Sequence, residues 1–336
     1  MKRKLISGLL AASLALLAFA GCSNGGGAAS SAPVSSGTGS SETVSQEAVS
    51  SEEASSAPAA ITADREGNPI TLPEKVDRII STAASNTEIL VGLGVGDKLV
   101  VVDKYSAGVE GVPAGIPQVD FRNPDAEAIL AAEPDILIAS GHNRAGDEDP
   151  FALIKEAGVC VVYLPSSTSI EGILGDMEFL AAITGAQEAG RKMIDEYSAE
   201  VAKIKAIGDT VTEKKTVYFE IGSGSALYSF GKSTFLNEFI ETVGAANILG
   251  GEEGWISPSP EAIVAANPDV IITNEDYKGE EQAIADIKGR DGWDVINAVK
   301  NDQVYLVNSN QSSRASQNSI EALKAIARAI YPDLYE

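Results

Sequence analysis

One 16-residue segment occurs twice in this 336-residue chain. Asn123-Pro124-Asp125-Ala126-Glu127-Ala128-Ile129-Leu130-Ala131-Ala132-Glu133-Pro134-Asp135-Ile136-Leu137-Ile138 returns 134 residues later as Ser257-Pro258-Ser259-Pro260-Glu261-Ala262-Ile263-Val264-Ala265-Ala266-Asn267-Pro268-Asp269-Val270-Ile271-Ile272. Nine of the 16 positions are identical, so each copy carries the same local instructions. Asn or Ser caps a helix, Pro stands at its first turn, an apolar helix follows, and Pro-Asp turns the chain into a buried strand. The interval is far too long for a solenoid, so the element serves once in each of two similar lobes. Two such lobes imply a cleft between them, where small molecules bind.

The N-terminus stands apart from that fold. Lys2-Arg3-Lys4 precedes an apolar run ending in Phe19-Ala20-Gly21-Cys22. The run is short for a membrane span, and residues 1–21 read as a lipoprotein signal peptide that leaves Cys22 as a lipidated first residue. Residues 22–60 are rich in Ser, Gly and Ala with few large apolar side chains, the composition of a disordered tether spanning roughly 30–35 Å. These features place the chain on the cell membrane, lipid-anchored on the extracytoplasmic face. Removing the three N-terminal cations takes the formal charge from −23 to −26, an acidity that repels nucleic acid. Cys160 is then the one remaining cysteine, in an apolar strand where it reads as a small buried hydrophobe.

Short β-branched runs at 78–81, 99–103, 136–140, 159–164, 216–222, 270–273 and 304–307 read as strands. Helical patterns lie between them at 88–93, 127–132 and 319–330. Apolar strands alternating with helices predict parallel sheets covered on both faces. Residues 170–207 read as helix, with Met193, Tyr197, Val201 and Ile204 forming one apolar stripe in the later part. That part is long enough to serve as a strut between lobes. The boundaries are a first lobe over 61–168, a helical region over 169–208, and a second lobe over 209–336.

Val76-Asp77-Arg78-Ile79-Ile80-Ser81, then Asn86-Thr87-Glu88-Ile89-Leu90 and Gly92-Leu93-Gly94-Val95-Gly96-Asp97, resemble the opening of the substrate-binding proteins of iron-siderophore, haem and cobalamin ABC importers. The twice-used segment, the long central helix, Gly231-Lys232-Ser233 and Arg314-Ala315-Ser316 extend the resemblance over about three quarters of the chain. It implies two Rossmann-like α/β lobes with parallel sheets, joined by one long α-helix with little hinge motion. It also implies a monomer that holds a metal chelate in the groove and presents it to a permease dimer. In open α/β sheets ligands sit beyond the carboxyl ends of the strands. The segments so placed are 82–86, 104–106, 141–144, 222–229 and 308–314. Ser85-Asn86-Thr87-Glu88 reads as a capping box at the first of them.

The resemblance puts ring-stacking aromatics at Tyr105, Phe121, Tyr228 and Trp255, and polar contacts from the second lobe at Asn310 and Arg314. Phe121 and Trp255 precede Glu127 and Glu261 by the same interval. Ser140-Gly141 replaces an expected aromatic, with His142, Arg122 and Arg144 beside it to contact an anionic chelate. A ferric siderophore, haem or corrinoid all fit. Glu127 and Glu261 correspond to the glutamates that face arginines of the permease. His142 is the sole histidine, so capture of a bare metal ion has no ligand set, although one His can be an axial ligand to a chelated metal.

No cofactor and no enzymatic activity are expected. Gly92-x-Gly94-x-Gly96 ends a helix instead of opening one, which argues against a dinucleotide site. Gly222-Ser223-Gly224-Ser225 lacks the nucleophile-elbow pattern, and a lone histidine makes a triad improbable. The alternatives are a bilobed receptor for a sugar or peptide and, from the abundance of carboxylates, a carboxylate-dependent hydrolase.

Overall fold

The computed structural model describes residues 60–143 and 149–335, so the expected signal segment, Cys22, nearly all of the tether, and Arg144 lie outside the described residues. The first lobe runs β1 (Ile79–Ser81), α1 (Ala84–Gly92), β2 (Leu99–Asp103), β3 (Gln118–Val119), α2 (Ala126–Ala131), β4 (Ile136–Ser140), α3 (Ala152–Glu156) and β5 (Cys160–Leu164). Its strands form a parallel sheet in the order β3-β2-β1-β4-β5. Two helices follow, α4 (Ile170–Thr184) and α5 (Gln187–Gly208).

The second lobe begins with β6 (Thr216–Glu220), β7 (Gly222–Ser223), β8 (Leu227–Phe230), α6 (Phe235–Thr242), β9 (Ala246–Asn247) and β10 (Trp255–Ile256). It continues through α7 (Pro260–Ala266), β11 (Val270–Thr273), α8 (Glu280–Lys288), α9 (Asn297–Lys300), β12 (Val304–Leu306), α10 (Ser309–Ser313) and α11 (Ser319–Ile330). Its parallel sheet, β12-β11-β6-β9, repeats the winding β5-β4-β1-β2 of the first lobe. A small antiparallel sheet, β10-β8-β7, is added to the second lobe alone.

Side chains alternate across each parallel sheet, as a pleated strand buried on both faces requires. Ile136 and Ile138 join one core while Leu137 and Ala139 join another; Val217 and Phe219 part from Tyr218 in the same way. The outward faces are closed by helices of their own lobe: Ile129 of α2 and Ile154 of α3 over the first sheet, Ile263 of α7 and Ile287 of α8 over the second. The inward faces meet in one continuous core. It holds Ile79 and Val102 of the first sheet, Val270 and Ile272 of the second, and side chains of α4, α5, α6 and α11.

The expected single run over 170–207 is two helices. Gly185 takes φ 75°, a left-handed conformation that ends α4, and α5 starts two residues later. A glycine C-cap reverses the chain at little steric cost. The two helices then pack so closely that a Cβ on Gly190 would lie 2.3 Å from that of Ala181. The long helix is therefore α5 alone, about 33 Å at 1.5 Å per residue for its 22 residues. Tyr197 and Ile204 of its stripe are buried, and the Tyr197 hydroxyl lies 2.9 Å from Ser319 Oγ on α11.

The duplicated segment folds alike in both lobes, but its caps sit two residues later than Asn123 and Ser257. Asp125 caps α2 by accepting from Glu127 N and Ala128 N, and Ser259 caps α7 by accepting from Ala262 N. Asp125 and Ser259 adjoin the true first turns, and Pro260 occupies the first helical position. Each Pro-Asp has a second function. Asp135 Oδ2 accepts from the backbone N–H groups of Asp77 and Arg78 (both 2.8 Å), and Asp269 Oδ2 accepts from Thr216 N (2.9 Å) and Oγ1 (2.8 Å). Each carboxylate thus fixes the entry of the central strand, β1 or β6. Cys160 is half-buried on edge strand β5, with its thiol pKa pushed up by burial and then by nearby Asp64.

Candidate functional site

The carboxyl ends of both parallel sheets converge on a groove between the lobes. One of its cavities, about 300 Å³, is floored by Thr82–Ser85 at the start of α1 and flanked by Tyr105, Phe121 and His142; Ser309, Asn310, Ser313 and Arg314 form the opposite wall. A narrower cavity of about 90 Å³ adjoins it through Ser85, His142 and Ser313 and leads to Trp255, Phe235 and Asp176. Four of the five crest segments line these cavities. The fifth, 222–229, does not.

α1 begins differently from the expected capping box. Its N-cap is Ala83, whose side chain cannot cap, and Glu88 lies buried in the helix instead of reaching back. The first-turn N–H groups thus start at the groove floor without a capping oxygen, suited to acceptor atoms of a ligand. Behind them a polar network sets the floor. Thr87 Oγ1 lies 2.8 Å from Ser81 Oγ and 2.9 Å from Ser106 Oγ, while Asn143 Oδ1 accepts from Thr82 Oγ1 (2.8 Å) and Ser140 N (2.6 Å). Across the groove, Asn308 caps α10, and Asn274 at the end of β11 donates to Ser312 (3.0 Å) and Ser313 (3.2 Å). That pair of bonds holds α10 so that Ser309, Asn310 and Ser313 meet the cavity.

The aromatic residues divide. Tyr105 is 58 % exposed and its ring centroid is 6.3 Å from that of Phe121, a tilted pair, with Lys104 Nζ 5.0 Å from the Tyr105 centroid. Trp255 is 56 % exposed and stands edge-on to buried Phe230 at 6.1 Å. It is held there by the pairing of β10 with β8, and Gly231 permits that approach: a Cβ on it would lie 2.2 Å from Glu252 O. Tyr228 is exposed on β8 and lines neither cavity. The antiparallel sheet that carries Trp255 and Tyr228 was not expected, because its strands of two to four residues are too short to show a period.

The charged candidates also divide. Arg122 covers the Phe121 ring with its guanidinium at 5.5 Å and faces solvent. Arg314 reaches the cavity, but its Nη1 lies 2.6 Å from Glu88 Oε1 and its Nη2 donates to the Tyr105 carbonyl at 3.2 Å. Among the described residues lining the two cavities, Arg314 is the one cation of fixed charge. Asp176, 3 % exposed, lines the narrow cavity; its carboxyl pKa is raised by burial, which outweighs the Ser167 hydroxyl and Arg65 at 2.9 Å. The signal for Asp176 was a carboxylate within the apolar run Ile173, Met177, Leu180 of α4, all buried. Glu127 and Glu261 occupy the second position of α2 and α7, both exposed, at equivalent places on the two lobes.

His142 Nδ1 lies 2.8 Å from Ser166 Oγ and 3.2 Å from Ser140 Oγ. Its pKa falls below the ordinary 6.5, first because packing at the groove wall disfavours the charged ring and then because Arg122 repels it. The groove therefore presents a neutral imidazole, hydroxyls, amides and aromatic rings. Such a wall suits a large, flat ligand with many hydrogen-bonding edges.

Comparisons with known proteins agree with this geometry. The family model described as periplasmic binding protein matches residues 79–310. An uncharacterized ABC transporter substrate-binding lipoprotein of Bacillus subtilis is 30% identical over 278 residues, covering 81% of this chain and 86% of the relative. A vitamin B12-binding protein of Vibrio parahaemolyticus is 24% identical over 251 residues, covering 74% of this chain and 88% of that protein. A solved structure of a possible iron-binding (periplasmic solute-binding) protein from Staphylococcus epidermidis superimposes with a TM-score of 0.69 at 33% identity, covering 77% of this chain and 100% of the other.

Because His142 is the sole histidine, its ring proton resonance is unambiguous in an NMR titration. It should titrate below 6.5, and Arg122→Ala should raise the value only in part, since burial is the larger cause. With fewer protons bound folded than unfolded below that pH, His142 makes the chain less stable as pH falls. A midpoint at or above 6.5 would contradict the neutral groove wall.

Proposed function

The chain belongs to the periplasmic binding protein family, and we infer that it captures a metal chelate between its lobes and delivers it to an ABC permease. Members of this family bind solutes and are not enzymes. The observation that carries the reading is the groove itself, flanked by the rings of Tyr105 and Phe121 and closed at its far end by Trp255. Rigid rings lose little conformational entropy on binding and match a macrocycle or an aromatic siderophore. Vitamin B12, the printed ligand of one relative, falls within this class.

Titration with cyanocobalamin, haemin and a ferric siderophore, followed by quenching of Trp255 emission, tests the reading. The other tryptophan, Trp293, is buried and serves as an internal reference. At least one chelate should bind, and Trp255→Ala should weaken it by about 1–3 kcal/mol, the usual cost of losing a central aromatic contact. Unaltered affinity in both Trp255→Ala and Tyr105→Ala would remove the groove as the seat.

Glu127 and Glu261 are proposed to dock the two lobes onto the two permease subunits. Part of their presence has a local cause, since the helix dipole favours a carboxylate in the first turn. Dipole compensation alone does not require that the same residue face solvent at equivalent points of both lobes. A two-fold permease offers two equivalent contacts, and charge pairs at a rim give orientation and salt sensitivity. The double variant Glu127→Ala/Glu261→Ala should lose uptake while keeping ligand affinity and melting temperature. By contrast, buried Ile129→Ala or Ile263→Ala, two positions on, should cost about 2–5 kcal/mol of stability. Full uptake by the double glutamate variant would end the docking proposal.

Cys22 is proposed to carry the lipid that holds the protein at the extracytoplasmic membrane face, in keeping with its lipoprotein relative. Cys22→Ala should release the chain into the soluble fraction or block its processing. A variant of normal processed mass that stays with membranes would exclude the anchor.

A further inference from the structure

We propose that Arg314 is a positioning residue, a clasp that joins the lobes and sets Tyr105, and not a ligand contact. The proposal rests on the groove reading only where it says that a ligand uses Tyr105. Glu88 stands on α1 in the first lobe and is 5 % exposed. Every hydrogen bond at its side chain comes from the second lobe: Arg314 Nη1 donates to Oε1 at 2.6 Å, and the Ser316 hydroxyl donates to Oε2. Gln317 Nε2 adds a bond to the Glu88 carbonyl at 2.8 Å. Three residues in one short stretch thus grip a single turn of α1 across the groove.

A buried carboxylate is tolerated when paired, and removing its partner costs more than the pair contributes. The Arg314 guanidinium is therefore balanced in charge by Glu88, to which its Nη1 donates. Its second nitrogen is spent on the Tyr105 carbonyl at 3.2 Å, while Asp103 Oδ1 accepts from Tyr105 N at 2.8 Å. Tyr105 is consequently gripped by the first lobe at its N–H and by the second at its carbonyl. The clasp therefore fixes the Tyr105 backbone from both lobes and sets where its ring stands at the ligand seat.

The test compares Glu88→Ala, Arg314→Ala and the double variant in binding cyanocobalamin and haemin. If Arg314 acts through the clasp, each single change weakens binding to a similar extent, roughly tenfold, and the double variant is no weaker than either. If Arg314 touches the ligand, Glu88→Ala frees the guanidinium: binding stays the same or tightens there, and only Arg314→Ala loses affinity. That pattern overturns the proposal, and so do additive losses. Arg314→Lys guards against misfolding. It keeps the charge beside Glu88 but cannot hold Tyr105 as well, so it should melt near the wild type yet bind like Arg314→Ala; affinity equal to wild type would count against the clasp. Should neither chelate bind the wild type, hydrogen exchange of the ligand-free chain still decides the clasp. Arg314→Ala and Arg314→Lys should speed exchange at Tyr105 and Ser106 in the opposite lobe, and unchanged protection there would overturn it.

Discussion

The two lobes share one apolar core, and the character of the groove follows from that. Val217 and Phe219 of one sheet and Ile79 and Ile138 of the other belong to the same packed cluster, bridged by α4, α5, α6 and α11. Opening the lobes widely would expose this surface at about 25 cal/mol for each Å² of apolar area, a cost no small ligand could readily offset. The groove is therefore preformed, and ligand binding is left with local adjustment. Tyr331 and Tyr335 add to the same joint, the Tyr331 hydroxyl donating to Gly244 O and the Tyr335 hydroxyl to Ile204 O and Val243 O. The pKa of Tyr335 is pushed up to about 12, chiefly by burial.

Buried carboxylates in this acidic chain are met in two ways, Asp64 and Asp103 by neutral hydrogen-bond donors and others by arginine. Three buried carboxylates are each met by one guanidinium: Glu88 by Arg314, Asp176 by Arg65, and Glu220 by Arg290 with two bonds of 2.6 Å. Paired in this way, the three carboxylates avoid the penalty of isolated buried charge, and the three arginines are spent on architecture. The groove is consequently polar through hydroxyls, amides and α1 amide groups, with the Asp103 carboxylate also on its wall. Arg65 also shows that residues just beyond the proposed tether help to shape the cleft, since they orient Asp176 on its wall.

The duplicated segment has a different meaning at each of its positions. Ile129 and Ile263 bind helix to sheet, Asp135 and Asp269 fix the central strands, and Glu133 and Asn267 share the left-handed turn after the helix at φ 46° and 47°. The two glutamates are exposed, as are Ala128, Ala131 and their counterparts Ala262 and Ala265. Identity retained at the buried positions has a packing cause.

Much of this was readable from residue order. Strands 99–103, 136–140 and 270–273 and helix 319–330 emerged with their observed ends, because an apolar run bounded by turn residues encodes a strand locally. The two-lobed winding followed from one repeated segment. Tyr105, Phe121, His142, Asn310 and Trp255 came to the groove because strand ends converge on it. Tertiary structure alone decided the rest. Glu88 has the spacing of a capping residue, yet its partners lie 226 and 228 residues away, where no local rule can see them. Arg314 has the type and place of a ligand contact, and only the approach of the other lobe turns it into a clasp. Local chemistry states what a side chain is able to bond; which partner it meets depends on how the lobes pack, because a buried charge takes whichever counter-charge the fold brings within reach.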